Sequence, residues 1–135
     1  MSLTLQQIFN RVAKHLLTQK QRCVRSPNDA GLALCAYRNE SGLACAVGAL
    51  IPDKLYKPIM DNGGDTGIAA NKHVQRALVK AGVMSSTRKD DPAVPLLHDL
   101  QCLHDSNTPG YWPRGLHEVA KEHGLNTTVL KRLAT

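Results

Sequence analysis

The chain has 135 residues, with 17 Lys and Arg against 11 Asp and Glu, a formal charge of +6 and a pI of about 9.4. Its length is most simply one domain, able to bury roughly two-thirds of its unfolded surface without staples, and its 42% hydrophobic share is ordinary globular usage. No run approaches the ~18 apolar residues of a helical membrane span, and MSLTLQQIFN lacks the basic start and unbroken apolar stretch of a signal peptide.

The expected compartment is therefore the cytoplasm, where Cys23, Cys35, Cys45 and Cys102 stay thiols. The basic charge permits an acidic protein or a nucleic acid as partner. It is unevenly spread: net +4 over residues 1–30, −1 over 31–66, +3 over 67–92 and zero over 93–135.

TLQQIFNRVAKHLLT at 4–18 predicts a helix. Thr4 is a good N-cap, Gln7 stands at the capping-box position, and Leu5, Ile8, Phe9, Val12, Ala13 and Leu16 form one apolar stripe. Gln7, Arg11, Lys14 and Thr18 line the opposite side, as a solvated face or an electrostatic contact surface. SPNDAG at 26–31 reads as a loop, LALCAYR at 32–38 as a short strand, and Asn39 to Gly42 as a turn. LACAVGALI at 43–51 fits a return strand or a short helix. Pro52 then opens a short helix, and DNGGDTG at 61–67 is a loop.

A second long helix is expected from about Ile68 to Ala81, with Gly82 past its end. A third covers 93–106 and buries Leu96, Leu97, Leu100 and Leu103. TPGYWP at 108–113 reads as a rigid turn, 114–123 as a helix stopped by Gly124, and 127–133 as a short last helix. These elements add up to a mainly helical α+β domain of four to five helices with one short β-hairpin.

Several chemistries can be drawn on this pattern. Cys35, Cys45, His98 and Cys102 could surround a metal, but without the paired C-x-x-C spacing that marks zinc they read better as small interior hydrophobes. His104 and Asp105 could supply a base to a cysteine nucleophile, yet the sequence identifies no partner thiol. No P-loop, G-x-S-x-G, G-x-G-x-x-G or H-E-x-x-H is present, so neither enzyme nor cofactor is expected.

VAKEHGLNTTVLKRL at 119–133 has helix-turn-helix spacing, inside a possible unit at 116–133. Its second helix would offer Asn126, Thr127, Thr128, Lys131 and Arg132 to a major groove. A net charge of +1 over 116–135 makes a weak phosphate footprint, so DNA reading is the runner-up. The few aromatic residues do not interleave with basic ones as a single-strand binder requires.

C-x-Y-R, a Gly turn and then C-A-V-G-x-L-I-P-D-x-x-Y, here Cys35 to Tyr56, resembles a family of small uncharacterised phage and bacterial proteins. LQCLHD at 100–105 resembles a later segment of that family. The resemblance covers the middle of the chain and brings no assigned activity. It implies a phage-type protein in a host cytoplasm, acting on a host protein complex, for example as an inhibitor of host defence. Arg11, Lys14, Tyr37, Arg38, Tyr56, Tyr111 and Trp112 are the expected contact residues for such a partner, being cationic or of types enriched at binding hot spots. Arg38 is expected to pair with Asp53, or with His104 and Asp105.

Overall fold

In the computed structural model, described over residues 3–24, 36–39, 41–62, 71–88 and 90–133, the first helix, α1, runs Leu5–Gln19. Its capping box is complete. Thr4 Oγ1 accepts the Gln7 amide at 3.1 Å, and Gln7 Oε1 accepts the Thr4 amide at 2.9 Å. Ile8, Phe9, Val12, Ala13 and Leu16 are buried, as the stripe predicts, and Leu3 ties the segment to the end of the third helix through the Gly82 carbonyl at 2.7 Å.

Five further α-helices follow: α2 Ile59–Asn62, α3 Lys72–Lys80, α4 Val94–Ser106, α5 Trp112–Glu122 and α6 Thr128–Leu133. Single 3-10 turns cover Gly48–Leu50, Asp53–Leu55 and Pro109–Tyr111. Helix α3 begins at Lys72 rather than near Ile68, because Asn71 is extended and caps it, its side chain accepting the Val74 amide at 3.1 Å. The helix expected from Pro52 splits into a 3-10 turn and α2. Tyr56 between them is extended, and Lys57 precedes Pro58, a position that disfavours helix. Helix α5 starts two residues earlier than expected because the Pro109–Tyr111 turn runs straight into it.

Helices α4 and α5 run antiparallel. Trp112 stacks on His104 with ring centroids 5.5 Å apart, while at the other end His123 Nε2 lies 2.7 Å from Asp99 Oδ2. Between them, a Cβ on Gly115 would meet Leu103 Cδ1 at 2.3 Å, so any larger residue here would have to displace the Leu103 side chain. Gly124, at φ +66, ends α5 in a Schellman turn in which the Leu125 amide reaches the Ala120 carbonyl at 2.8 Å. Helix α6 then packs back on α1, with Leu130 buried.

The expected β-hairpin does not form, and the α+β class is corrected to a mainly α fold without strands among the described residues. One isolated antiparallel bridge, Arg38 to Ala44, is what the described part of the hairpin amounts to; residues 25–35, with Cys35, lie outside the described residues. Two backbone rungs flank the bridge, the Asn39 amide to the Leu43 carbonyl at 3.2 Å and the Cys45 amide to the Tyr37 carbonyl at 3.3 Å. Gln19 takes both the Ala44 amide and its carbonyl, at 3.1 and 2.9 Å, and Gln101 accepts the Val47 amide at 3.0 Å. Helix side chains thus take the peptide groups that the pairing leaves over, and the pairing stops because after Cys45 the chain turns into the Gly48–Leu50 3-10 helix. No helix among the described residues is long and apolar enough to cross a membrane.

Candidate interaction surface

The geometry around Tyr37 and Arg38 is organised by a residue that the sequence patterns did not single out. Asp61 of α2 accepts the Tyr37 amide at 2.7 Å, the Arg38 amide at 3.3 Å and the Tyr56 hydroxyl at 2.5 Å. Arg38 is pinned in turn. Its Nη1 meets Asp53 Oδ1 at 2.5 Å, its Nη2 donates to the Ile51 carbonyl at 2.5 Å, and its guanidinium lies 5.5 Å from the centre of the Tyr56 ring. The expected Arg38–Asp53 pair is therefore present, while His104 and Asp105 pair with each other.

Burial pushes the hydroxyls of Tyr37 and Tyr56 well above the ordinary tyrosine range. Next come Cys45 and Asp61 for Tyr37, and for Tyr56 its bond to Asp61 and that carboxylate's charge. Both rings therefore stay neutral, and both are partly covered. Gly48 closes the corner. A Cβ there would sit 2.0 Å from the Tyr37 carbonyl oxygen.

Behind this corner lie the thiols. Cys45 is fully buried, its Sγ accepting the Gly48 amide at 3.3 Å, and burial drives its thiol far above the normal range. Cys23 is buried too, and its amide donates to His104 Nε2 at 2.9 Å. His104 Nδ1 then donates to Asp105 Oδ1 at 2.7 Å, and Gln101 donates to the same oxygen at 2.9 Å. Both imidazole nitrogens are occupied, so His104 has no lone pair to offer a thiol. His15, half-buried, is kept neutral chiefly by burial and donates from Nε2 to the Ala44 carbonyl at 2.7 Å. This interior arranges hydrogen bonds rather than a nucleophile.

Of the drawn metal tetrahedron, Cys35 lies outside the described residues, and the other three form no common donor group. Cys45 is interior, whereas His98 and Cys102 are exposed on α4, with Nε2 and Sγ 3.5 Å apart.

On the outside, Arg11 and Lys14 are exposed on α1, and neither makes an ion pair among the described residues. Lys20 and Arg22, just past the end of α1, are exposed as well, Arg22 reaching the Asp105 carbonyl at 3.3 Å. Tyr111 is partly exposed and donates to Glu118 at 2.9 Å. Trp112 is the correction among the expected contact residues. It is completely buried against His104, so it stabilises the interior and no partner can reach it.

The residues of the helix-turn-helix reading lie at the entry to α6 and along it. The Asn126 amide and carbonyl are held by the Gln6 side chain at 2.9 and 3.1 Å, and its Oδ1 takes the Thr128 amide at 3.3 Å. Asn126 is thereby tied to α1 through its backbone, while its exposed side chain caps the start of α6. Helix α6 has only six residues, less than two turns, from which Thr128, Lys131 and Arg132 remain exposed while Thr127, just ahead of it, is half-covered.

No family model, no curated protein and no solved structure matches the chain.

Proposed function

We propose that this is a non-catalytic binding protein that docks through the outer face of α1 onto an acidic surface of a protein partner. One observation carries the reading. Residues 3–24 contain Arg11, Lys14, Lys20 and Arg22 and no carboxylate, and all four cations are exposed. Arg11 and Lys14 sit on α1 itself and Lys20 and Arg22 follow its end, and such one-signed charge on a rigid element speeds encounter with a complementary surface. The buried thiol and the doubly bonded His104 support a non-catalytic reading, because neither is poised to transfer a proton or attack a substrate. The resemblance of the corner motif to small phage and bacterial proteins points to a host protein complex as the partner, with inhibition by occupancy as the outcome.

The test is a charge reversal, Arg11→Glu with Lys14→Glu. The wild-type chain captures its partner from host lysate, and association is then timed at low and high salt. The reversed variant should fold with unchanged melting and associate at least about tenfold more slowly at low salt. Equal association rates would reject the α1 face. A gel shift whose affinity falls steeply with salt would replace the protein partner with nucleic acid.

A further inference from the structure

We propose that Asp99 of α4, with Glu122 and His123 at the end of α5, forms a binding site for one divalent cation of the zinc and cobalt type. The three side chains place a ligand atom each within 4.8 Å of one another, and His123 Nε2 already lies 2.7 Å from Asp99 Oδ2. The site is built from two helices that pack on each other, with Leu103 lying against Gly115 and Trp112 stacked on His104. The Schellman turn at Gly124 holds His123 at the end of α5, where its ring meets α4.

The site has a covered floor and an open mouth. The side chains of His123 and Asp99 are 16% and 34% exposed, and Glu122 is exposed, which leaves room for water on the metal. Two carboxylates and one imidazole form a borderline oxygen and nitrogen set. It suits zinc, cobalt or manganese better than calcium or magnesium, which prefer oxygen alone. Bonds of about 2.0–2.1 Å place tetrahedral ligand atoms roughly 3.3 Å apart, so a cation would part the Asp99–His123 contact by well under 1 Å.

Charge favours the same reading. Among the described residues no Lys or Arg pairs with Asp99 or Glu122, in a chain that is otherwise strongly basic. On binding, the neutral imidazole turns the lone pair of the nitrogen facing Asp99 to the metal and carries its one proton on the other ring nitrogen, so the ring changes tautomer with no net proton loss. The exposed His98–Cys102 pair nearby is the alternative site. It sits on a single helix, and no third donor group joins it among the described residues.

Isothermal titration of the purified chain with zinc chloride, and separately with cobalt chloride, tests this, with magnesium chloride as the comparison. The expected result is one zinc or cobalt ion per chain and little heat from magnesium. Glu122→Gln, at an exposed position, should melt like the wild type and weaken binding at least about tenfold. His123→Ala should abolish binding, and Cys102→Ser should leave both the affinity and the cobalt spectrum unchanged. Failure of the wild type to bind zinc at millimolar concentration would overturn the site, as would wild-type affinity in both Glu122→Gln and His123→Ala. Loss of binding in Cys102→Ser would move the metal to the His98–Cys102 pair and overturn it equally.

Discussion

Gln19 of α1 grips both polar groups of Ala44, donating to its carbonyl at 2.9 Å and accepting its amide at 3.1 Å. One amide side chain thus does for a buried peptide what a neighbouring strand would do. Gln19→Ala leaves the Ala44 amide unpaired and its carbonyl bonded to His15 alone, which should lower stability by about 1–3 kcal/mol in denaturant unfolding. Gln19→Glu keeps the acceptor and loses the donor, so an intermediate loss is expected. An unchanged unfolding midpoint for Gln19→Ala would show that the grip contributes nothing.

Two glycines in the same corner should answer differently to alanine. At Gly48 a new Cβ would lie 2.0 Å from the Tyr37 carbonyl, a backbone atom that cannot swing away, and a loss above about 3 kcal/mol is expected. At Gly42, with φ +84 and open space around it, only conformational strain of about 1–2 kcal/mol should appear. Parallel thermal melts of the two variants check the order, and a reversed order would refute the close packing of the 3-10 turn on Tyr37.

The thiols should react in sequence. Among the three described cysteines, Cys102 is exposed, while Cys23 and Cys45 are interior. Brief alkylation of the native protein, mapped by peptide mass, should therefore label Cys102 ahead of the other two. Partial burial, then the charges of Asp105 and Asp99, hold the Cys102 thiol above its ordinary range, so labelling should speed up steadily as the pH is raised. Fast labelling of Cys45 in the folded chain would contradict its burial.

Asp91 sets a pH dependence of stability. It is buried, which alone would raise its pKa, but it accepts the amides of Ala93, Ser85 and Ser86 and the Ser85 hydroxyl, and these outweigh burial and hold the carboxyl below the usual aspartate range. A group with a depressed folded pKa contributes stability that is fully present above its unfolded value, near 3.9, and is lost as pH falls through the folded value. Melting curves should show Asp91→Asn less stable than the wild type at neutral pH, with the gap narrowing toward acid. A gap that stays constant down to the lowest pH would rule out this source.

Much of the helical framework was legible from residue spacing. The Thr4–Gln7 capping box, the apolar stripe of α1, the four leucines of α4 and the glycines past α3 and α5 all act locally, so their chemistry sits in adjacent residues. The corner was not legible, because its hydrogen bonds come from Gln19, Gln101 and Asp61, far away in sequence. A run rich in Ala and Gly carries no sign of whether its backbone will be satisfied by a strand or by side chains. Asn71 could have been found, since an Asn directly before a basic helical stretch is a strong capping signal. Trp112 illustrates the opposite error: its residue type suggested a contact surface, and only the antiparallel packing of α4 on α5 places it inside.

Because the peptides of Ala44 and Val47 are held by α1 and α4, the corner can only take shape once both helices are already in place. It should therefore assemble last and open first. Exchange of the Ala44 and Val47 amides with deuterium would proceed by a local fluctuation that leaves α1 and α4 intact.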